Sequence, residues 1–245
     1  LQYLRSKSFD ILAVLWTLLL SPSLPILWSV NASSKYVRAV SQFWANGLMF
    51  LLRTVVNLKY VERGRENIPE GPCIVICNHQ SLWETIALST IFPEASFVAK
   101  IEILRIPIVG WFLTKYPMIM LDRSAGPSSV RKLLAASAKT ISDGRKIVIF
   151  PQGTRCDVNE PVKFKRGVTA LYAHLGVPAL PVALNSGVFW PGDRLMRYAG
   201  TITVSYLPRI EPGLNSNEFR VLAETMISDE AMKLVKEAQH SIAAS

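Results

Sequence analysis

Six short apolar runs constrain this chain more than any other feature: CIVIC (73–77), SFVA (96–99), MIML (118–121), KIVIF (146–150), ALPVAL (179–184) and TITVSY (201–206). Each is of strand length, and longer amphipathic stretches of helix length separate them. Such alternation predicts an α/β fold, a largely parallel mixed sheet flanked by helices. In open sheets of this kind the ligand crevice lies outside the carboxyl ends of the strands. The residues there are Asn78-His79, Lys100, Asp122-Arg123, Pro151-Gln152-Gly153-Thr154-Arg155 and Asn185-Ser186-Gly187. Polar groups from distant positions are therefore expected on one rim.

This α/β domain is assigned to residues 59–245, and residues 1–58 read as a membrane-embedded helical hairpin. No charge occurs from Ile11 to Ser34, and the run ILAVLWTLLL with its continuation approaches the ~20 residues needed to span a bilayer. Pro22 and Pro25 interrupt it, so a helix over about residues 9–20 is expected to bend or stop at SPSLP. The uncharged stretch between Arg38 and Arg53 is short for a span. Two full crossings would leave Lys35 and Arg38 on the far side, against the positive-inside tendency; a hairpin within one leaflet avoids that conflict. Trp16, Trp28 and Trp44 are expected at headgroup level. No small-residue cleavage site follows the apolar core cleanly, which disfavours a signal peptide. The plainer alternative is a helical lid packed only on its own protein.

Half the residues are hydrophobic and 18% are charged, with a formal net charge of +9. That leaves apolar surface beyond one core, and the positive balance suits anionic lipid or phosphorylated substrates as well as simple solubility. Scattered basic residues and high apolar content argue against a nucleic-acid partner. Cys73, Cys77 and Cys156 make an odd count without a disulfide pattern, which points to a reducing compartment.

His79 follows the CIVIC strand, and Glu84 lies five positions on, within NHQSLWET. On one regular helix the two side chains would diverge by about 140°. With His79 in the strand-to-helix turn and Glu84 on the first helical turn, the carboxylate can hold one ring nitrogen and leave the other free as a base. Ser81-x-x-Glu84 is equally a capping box, so cap and catalyst both stand for Glu84. His174 and His240 lack a carboxylate at useful spacing. Two further readings compete. Cys73, Cys77, His79 and Cys156 offer zinc ligands or a Cys156–His79 thioesterase dyad, and the hairpin with the net charge fits a non-enzymatic membrane-binding protein. The absence of a GxSxG elbow weighs against a serine hydrolase.

NHQSLWET and FPQGTR, in this order and about 70 residues apart, resemble the lysophosphatidic acid acyltransferase family of glycerolipid acyltransferases, which carries His-x4-Asp/Glu and Phe-Pro-Glu-Gly-Thr-Arg motifs. KIEILRIPIVGW (100–111) with Asp122-Arg123, and VPALPVALNSG (177–187), resemble its other two blocks. The resemblance implies that His79 is the general base and Glu84 its partner. It implies that Arg155, Thr154 and Gly153 bind the acceptor's phosphate, with Lys100 and Arg123 adding charge. A guanidinium matches phosphate bidentately, and a glycine admits close backbone approach. The implied reaction moves an acyl group from acyl-CoA or acyl-carrier protein to the sn-2 hydroxyl of lysophosphatidic acid, and lyso-ornithine lipid is the alternative acceptor. No metal and no cofactor beyond the thioester co-substrate are expected; membrane lipid is the expected partner, at the cytoplasmic face of the inner membrane if the source is bacterial. Gln152 departs from the family's usual Glu, keeping hydrogen-bonding capacity and losing the negative charge.

Overall fold

The computed structural model describes residues 1–106, 110, 113, 114, 116–122, 126–192 and 196–243. Among them seven strands form one sheet in the order β1-β7-β6-β2-β5-β3-β4. The strands are β1 (Leu58–Arg63), β2 (Ile74–Cys77), β3 (Ser96–Lys100), β4 (Ile119–Leu121), β5 (Ile147–Ile149), β6 (Ala179–Leu184) and β7 (Gly200–Tyr206). Neighbours run parallel except β6 and β7, which pair antiparallel with Val182 opposite Tyr206. The expected mixed α/β sheet is therefore present, and all six apolar runs lie in it. β1 was not among them, because only Leu58 of LKYVER is buried. Its charged residues suit an edge strand, where they discourage pairing with another chain.

Successive side chains on a strand point to opposite faces, and β2 divides the core accordingly. Cys73, Val75 and Cys77 join one cluster with Trp83 and Leu88, while Ile74 and Ile76 join another with Leu133, Leu171, Phe219 and Leu234. The first cluster lies under the amino-terminal helices and α4 (Trp83–Ile91). The second is covered by α5 (Pro127–Ser142), α6 (Arg166–Leu175) and α8 (Ser216–Ala243), with the short α7 (Ser186–Phe189) following β6.

The first 56 residues form α1 (Gln2–Leu20), α2 (Ser23–Ser29), α3 (Ser34–Leu51) and a π-helical turn (Leu52–Val56). The break falls at SPSLP, and Pro25 is accommodated in the first turn of α2, where its missing N–H costs nothing. The helix begins at Gln2 instead of near residue 9, because tertiary contacts outweigh its polar start. The Gln2 amide donates to the Arg197 carbonyl at 2.6 Å, and the Arg197 N–H donates to Ser6 Oγ at 3.1 Å. The Arg197 guanidinium lies 2.6 Å from Asp10 and over the Phe9 and Trp190 rings. Phe9, Ala45, Leu48, Leu52 and Val56 are buried in the core cluster itself.

Two of the tryptophans join helices within the protein. Trp28 is exposed, but Trp16 and Trp44 staple α1 to α3. Trp16 Nε1 donates to the Trp44 carbonyl and Trp44 Nε1 to Thr17 Oγ1, both at 3.0 Å. A buried indole N–H seeks an acceptor, and the neighbouring helix supplies one within the protein. Gly47 permits this approach: a Cβ there would sit 2.4 Å from the Trp16 ring. The outer face of α1 remains apolar, with Ile11, Val14, Leu15, Leu18 and Leu19 all exposed. The stretch Gln2–Ser29 is long and apolar enough to cross a membrane.

Candidate active site

The carboxyl end of β2 carries the first group of the site. Asn78 extends the β2–β6 ladder by side chain, its amide donating to the Leu184 carbonyl and its Oδ1 accepting the Leu184 N–H, each at 2.9 Å. His79 follows in the turn, and Glu84 lies in the first turn of α4 with its carboxyl fully buried. His79 Nδ1 and Glu84 Oε1 are 2.7 Å apart. The same oxygen accepts the N–H groups of Gln80 and Ser81, each at 2.7 Å. Ser81 Oγ in turn accepts the Trp83 N–H at 3.0 Å. The two roles open for Glu84 are thus compatible, since one oxygen both caps the helix start and orients the imidazole.

Ser186 completes this carboxylate, its hydroxyl donating to Glu84 Oε2 at 2.7 Å from a fully buried position. The residue was legible as a rim position after β6 but not as a partner of Glu84, because nothing local links positions 84 and 186. Its neighbour Asn185 bridges the Leu234 carbonyl and the Thr203 N–H, fixing the end of β6.

The FPQGTR segment grips His79 by its backbone. Gln152 Oε1 accepts the His79 N–H at 2.8 Å, and the His79 carbonyl accepts the Cys156 N–H at 2.9 Å. The imidazole stacks on Phe150, with ring centroids 4.2 Å apart and planes 15° from parallel. Position 152 therefore works as a hydrogen-bond acceptor, which an amide oxygen provides as well as a carboxylate does. Gly153 adopts φ +70 and turns the chain back, its N–H meeting the Phe150 carbonyl at 3.0 Å. That left-handed conformation carries little penalty only for glycine.

With Nδ1 engaged, His79 Nε2 is the nitrogen left for chemistry, and His79 lines a cleft of about 830 Å³. Gly153, Thr154, Arg155 and Lys100 line the same cleft, so the structure brings together every expected site residue within the described set except Glu84, which stands behind His79. Arg123 lies outside the described residues. The Arg155 guanidinium is exposed and donates to the Gly192 carbonyl at 3.2 Å. Glu102 also faces the cleft, and so do Ser129 and Lys165, for which sequence reasoning had assigned no role. Phe97, Ile103, Ile106, Met118 and Leu121 make one side of it apolar.

The cysteine thiols are not poised as nucleophiles. Burial pushes the Cys73 thiol up to about 11 and the Cys77 thiol well above its ordinary value. Burial and the nearby Glu160 raise Cys156, whose thiol donates to the Thr154 carbonyl at 3.7 Å. A cysteine nucleophile needs its thiolate stabilised, the opposite direction. Among the described residues no three His, Cys, Asp or Glu side chains gather as a metal-ligand group. Cys156→Ser should accordingly keep thioester turnover near wild type, since the clamping N–H at that position is retained. Complete loss of turnover in a steady-state assay would restore the dyad.

Residues 59–185 match the model of the family described as Acyltransferase. Among curated proteins, a 1-acyl-sn-glycerol-3-phosphate acyltransferase of Pseudomonas aeruginosa is 41% identical over 167 residues, covering 68% of this chain and 65% of that protein. One from Chlamydomonas reinhardtii is 30% identical over 88% of this chain and 67% of its own length. The chain thus spans about two thirds of the length of these relatives. A crystal structure of the 1-acyl-sn-glycerophosphate acyltransferase from Thermotoga maritima superimposes with a TM-score of 0.76 at 21% identity, covering 95% of both chains.

Proposed function

The chain belongs to the acyltransferase family, and from that premise we propose that it transfers a fatty acyl group from acyl-CoA or acyl-carrier protein to the sn-2 hydroxyl of lysophosphatidic acid, producing phosphatidic acid. The observation that carries this reading is the His79–Glu84 pair, which opens through His79 onto a cleft with Arg155 on its wall and an apolar side. His79 Nε2 takes the proton of the acceptor hydroxyl while Glu84 stabilises the imidazolium. The alkoxide oxygen attacks the thioester carbonyl carbon, and the tetrahedral intermediate collapses with cleavage of the carbon–sulfur bond. The departing thiolate recovers the proton from His79 and leaves as thiol. Arg155, with Thr154, Gly153, Lys100 and Arg123, holds the acceptor's phosphate, and Phe97, Ile103 and Met118 accept the acyl chain. The reaction calls for no cofactor beyond the thioester.

Thioester consumption by the purified protein, measured with and without lysophosphatidate, tests the reading. Lysolipid-dependent thiol release with formation of phosphatidic acid is the expected result. Equal consumption without lysolipid would indicate a thioesterase, and none under either condition a non-enzymatic membrane protein.

The same proposal has the acceptor reach the cleft from a bilayer in which the outer face of α1 is embedded, at the cytoplasmic side of the inner membrane if the source is bacterial. Burying one Leu side chain is worth about 1.5–3 kcal/mol. Replacing the exposed Leu15 and Leu19 with Ser should therefore weaken vesicle binding by roughly two orders of magnitude or more in a flotation assay. Circular dichroism should be unchanged, because neither side chain is in the core. Unaltered flotation would contradict the embedding. Deleting residues 1–58 instead would remove Phe9, Leu48, Leu52 and Val56 from the core and would not isolate the membrane contribution.

A further inference from the structure

The cleft holds a second concentration of donors that the His79 chemistry does not use. Ser129 is 5% exposed, its hydroxyl has no hydrogen-bond partner among the described residues, and it lines the cleft from the first turn of α5. A buried hydroxyl in that condition is unfavourable unless a ligand or water meets it. Four residues further along, and hence on the same face of α5, Leu133 packs against the start of α6: a Cβ at Gly167 would lie 3.3 Å from Leu133 Cδ2. The two helices thus begin side by side at the carboxyl end of the sheet.

The start of α6 is electrostatically open, while at α5 Pro127 has no N–H and the Ser129 N–H donates to the Gly126 carbonyl at 3.1 Å. Neither helix has a side-chain cap or an acidic residue in its first turn. The first N–H groups of a helix have no acceptor within it, and the partial positive charge there favours anions. At α6 these donors include the N–H groups of Arg166 and Gly167, beside Lys165, which is exposed and lines the same cleft. Glu102 is the one carboxylate among the cleft-lining residues described, and Lys100, Arg155 and Lys165 outnumber it.

We propose that the Ser129 hydroxyl, Lys165 and the amino-terminal turn of α6 bind a phosphate group at a position separate from the one assigned to Arg155. The site rests on the acyl-transfer reading only for the origin of its ligand. Both substrates carry phosphate esters, the acceptor as a monoester and the thioester donor on its pantetheine arm. Because the acceptor's phosphate is assigned to Arg155, the second position accommodates the donor's.

Binding of inorganic phosphate, followed by the thermal midpoint of the full chain, tests the site without reference to activity. In an Arg155→Ala background phosphate should still raise the midpoint. Adding Ser129→Asp should remove that rise by placing a carboxylate where the anion sits, and an acidic residue in a helix's first turn keeps the fold. Ser129→Ala should weaken phosphate binding about tenfold, the loss of one hydrogen bond to a charged group. In steady-state assays the same Ala variant should raise the KM of the thioester by a similar factor. A rise for lysophosphatidate instead would overturn the donor assignment. If phosphate fails to stabilise the Arg155→Ala protein, or stabilises it equally with and without Ser129→Asp, the site does not exist. If the phosphate response behaves as expected but no acyl transfer is detected with wild-type protein, the functional reading fails and the site stands.

Discussion

Replacing His79 with Ala should lower acyl transfer by about 10²–10⁴-fold, the usual contribution of a positioned general base, while thermal stability changes little. The structural work at this position is done by the backbone: the N–H meets Gln152 and the carbonyl meets Cys156, and Ala preserves both. Removing the partner of a buried charge is ordinarily costly. Glu84, however, would keep the N–H groups of Gln80 and Ser81 and the hydroxyl of Ser186. What is lost is the ring that stacks on Phe150 and presents Nε2 to the cleft. Turnover and a melting curve on the same preparation check this, and near-normal turnover would remove His79 from the mechanism. Glu84→Gln sharpens the test. Its amide oxygen can still accept the three N–H groups around Oε1, and the Ser186 hydroxyl can reverse to accept from the amide nitrogen. The cap survives and the negative charge does not, so turnover should fall by about 10²-fold or more without a matching loss of stability.

The sheet was readable because six of its strands are apolar runs bounded by turn residues, and burial of β2, β5 and β6 on both faces leaves an unbroken apolar signature there. β1 lacked that signature, since an edge strand with one buried residue resembles a polar loop. α1 shows the complementary case: its start at Gln2 depends on Arg197, a contact nearly two hundred positions away that no local pattern encodes. Within the site, the His79–Glu84 pairing followed from spacing once His79 was placed in the turn. The grip of Gln152 on the His79 N–H did not, although it gives a physical reason for NHQSLWET and FPQGTR to occur together. The staple formed by Trp16 and Trp44 was not legible, because indole amphipathicity suits a headgroup region and a helix interface equally and the gap at Gly47 appears only in the fold. The roles of Ser186 and Ser129 were beyond reach from sequence for one reason: a hydroxyl's role depends on which buried groups face it.

Arg155→Ala should raise the KM for lysophosphatidate about ten- to hundredfold, the range expected for losing a charge-assisted hydrogen bond to a phosphate. The acceptor presents a monoester of about −1.5 to −2 at neutral pH, by analogy with phosphorylated side chains. Arg155 is exposed at the cleft, and among the described side chains its guanidinium has no carboxylate partner. Its bond is to the Gly192 carbonyl, which leaves the fork's remaining N–H groups to meet phosphate oxygens bidentately. Turnover should also fall, because an acceptor without its anchor no longer holds the hydroxyl against His79 Nε2. A lyso-ornithine lipid carries no phosphate, so a protein selective for it would gain nothing from a guanidinium at this edge. Wild type and variant should therefore be compared on both lysolipids, with the thioester held saturating. A wild-type preference for lysophosphatidate that collapses in Arg155→Ala supports phosphate recognition. Preference for the phosphorus-free acceptor, or unchanged lysophosphatidate kinetics in the variant, would overturn the acceptor assignment while leaving the His79–Glu84 chemistry untouched, because the base acts on the hydroxyl and not on the head group.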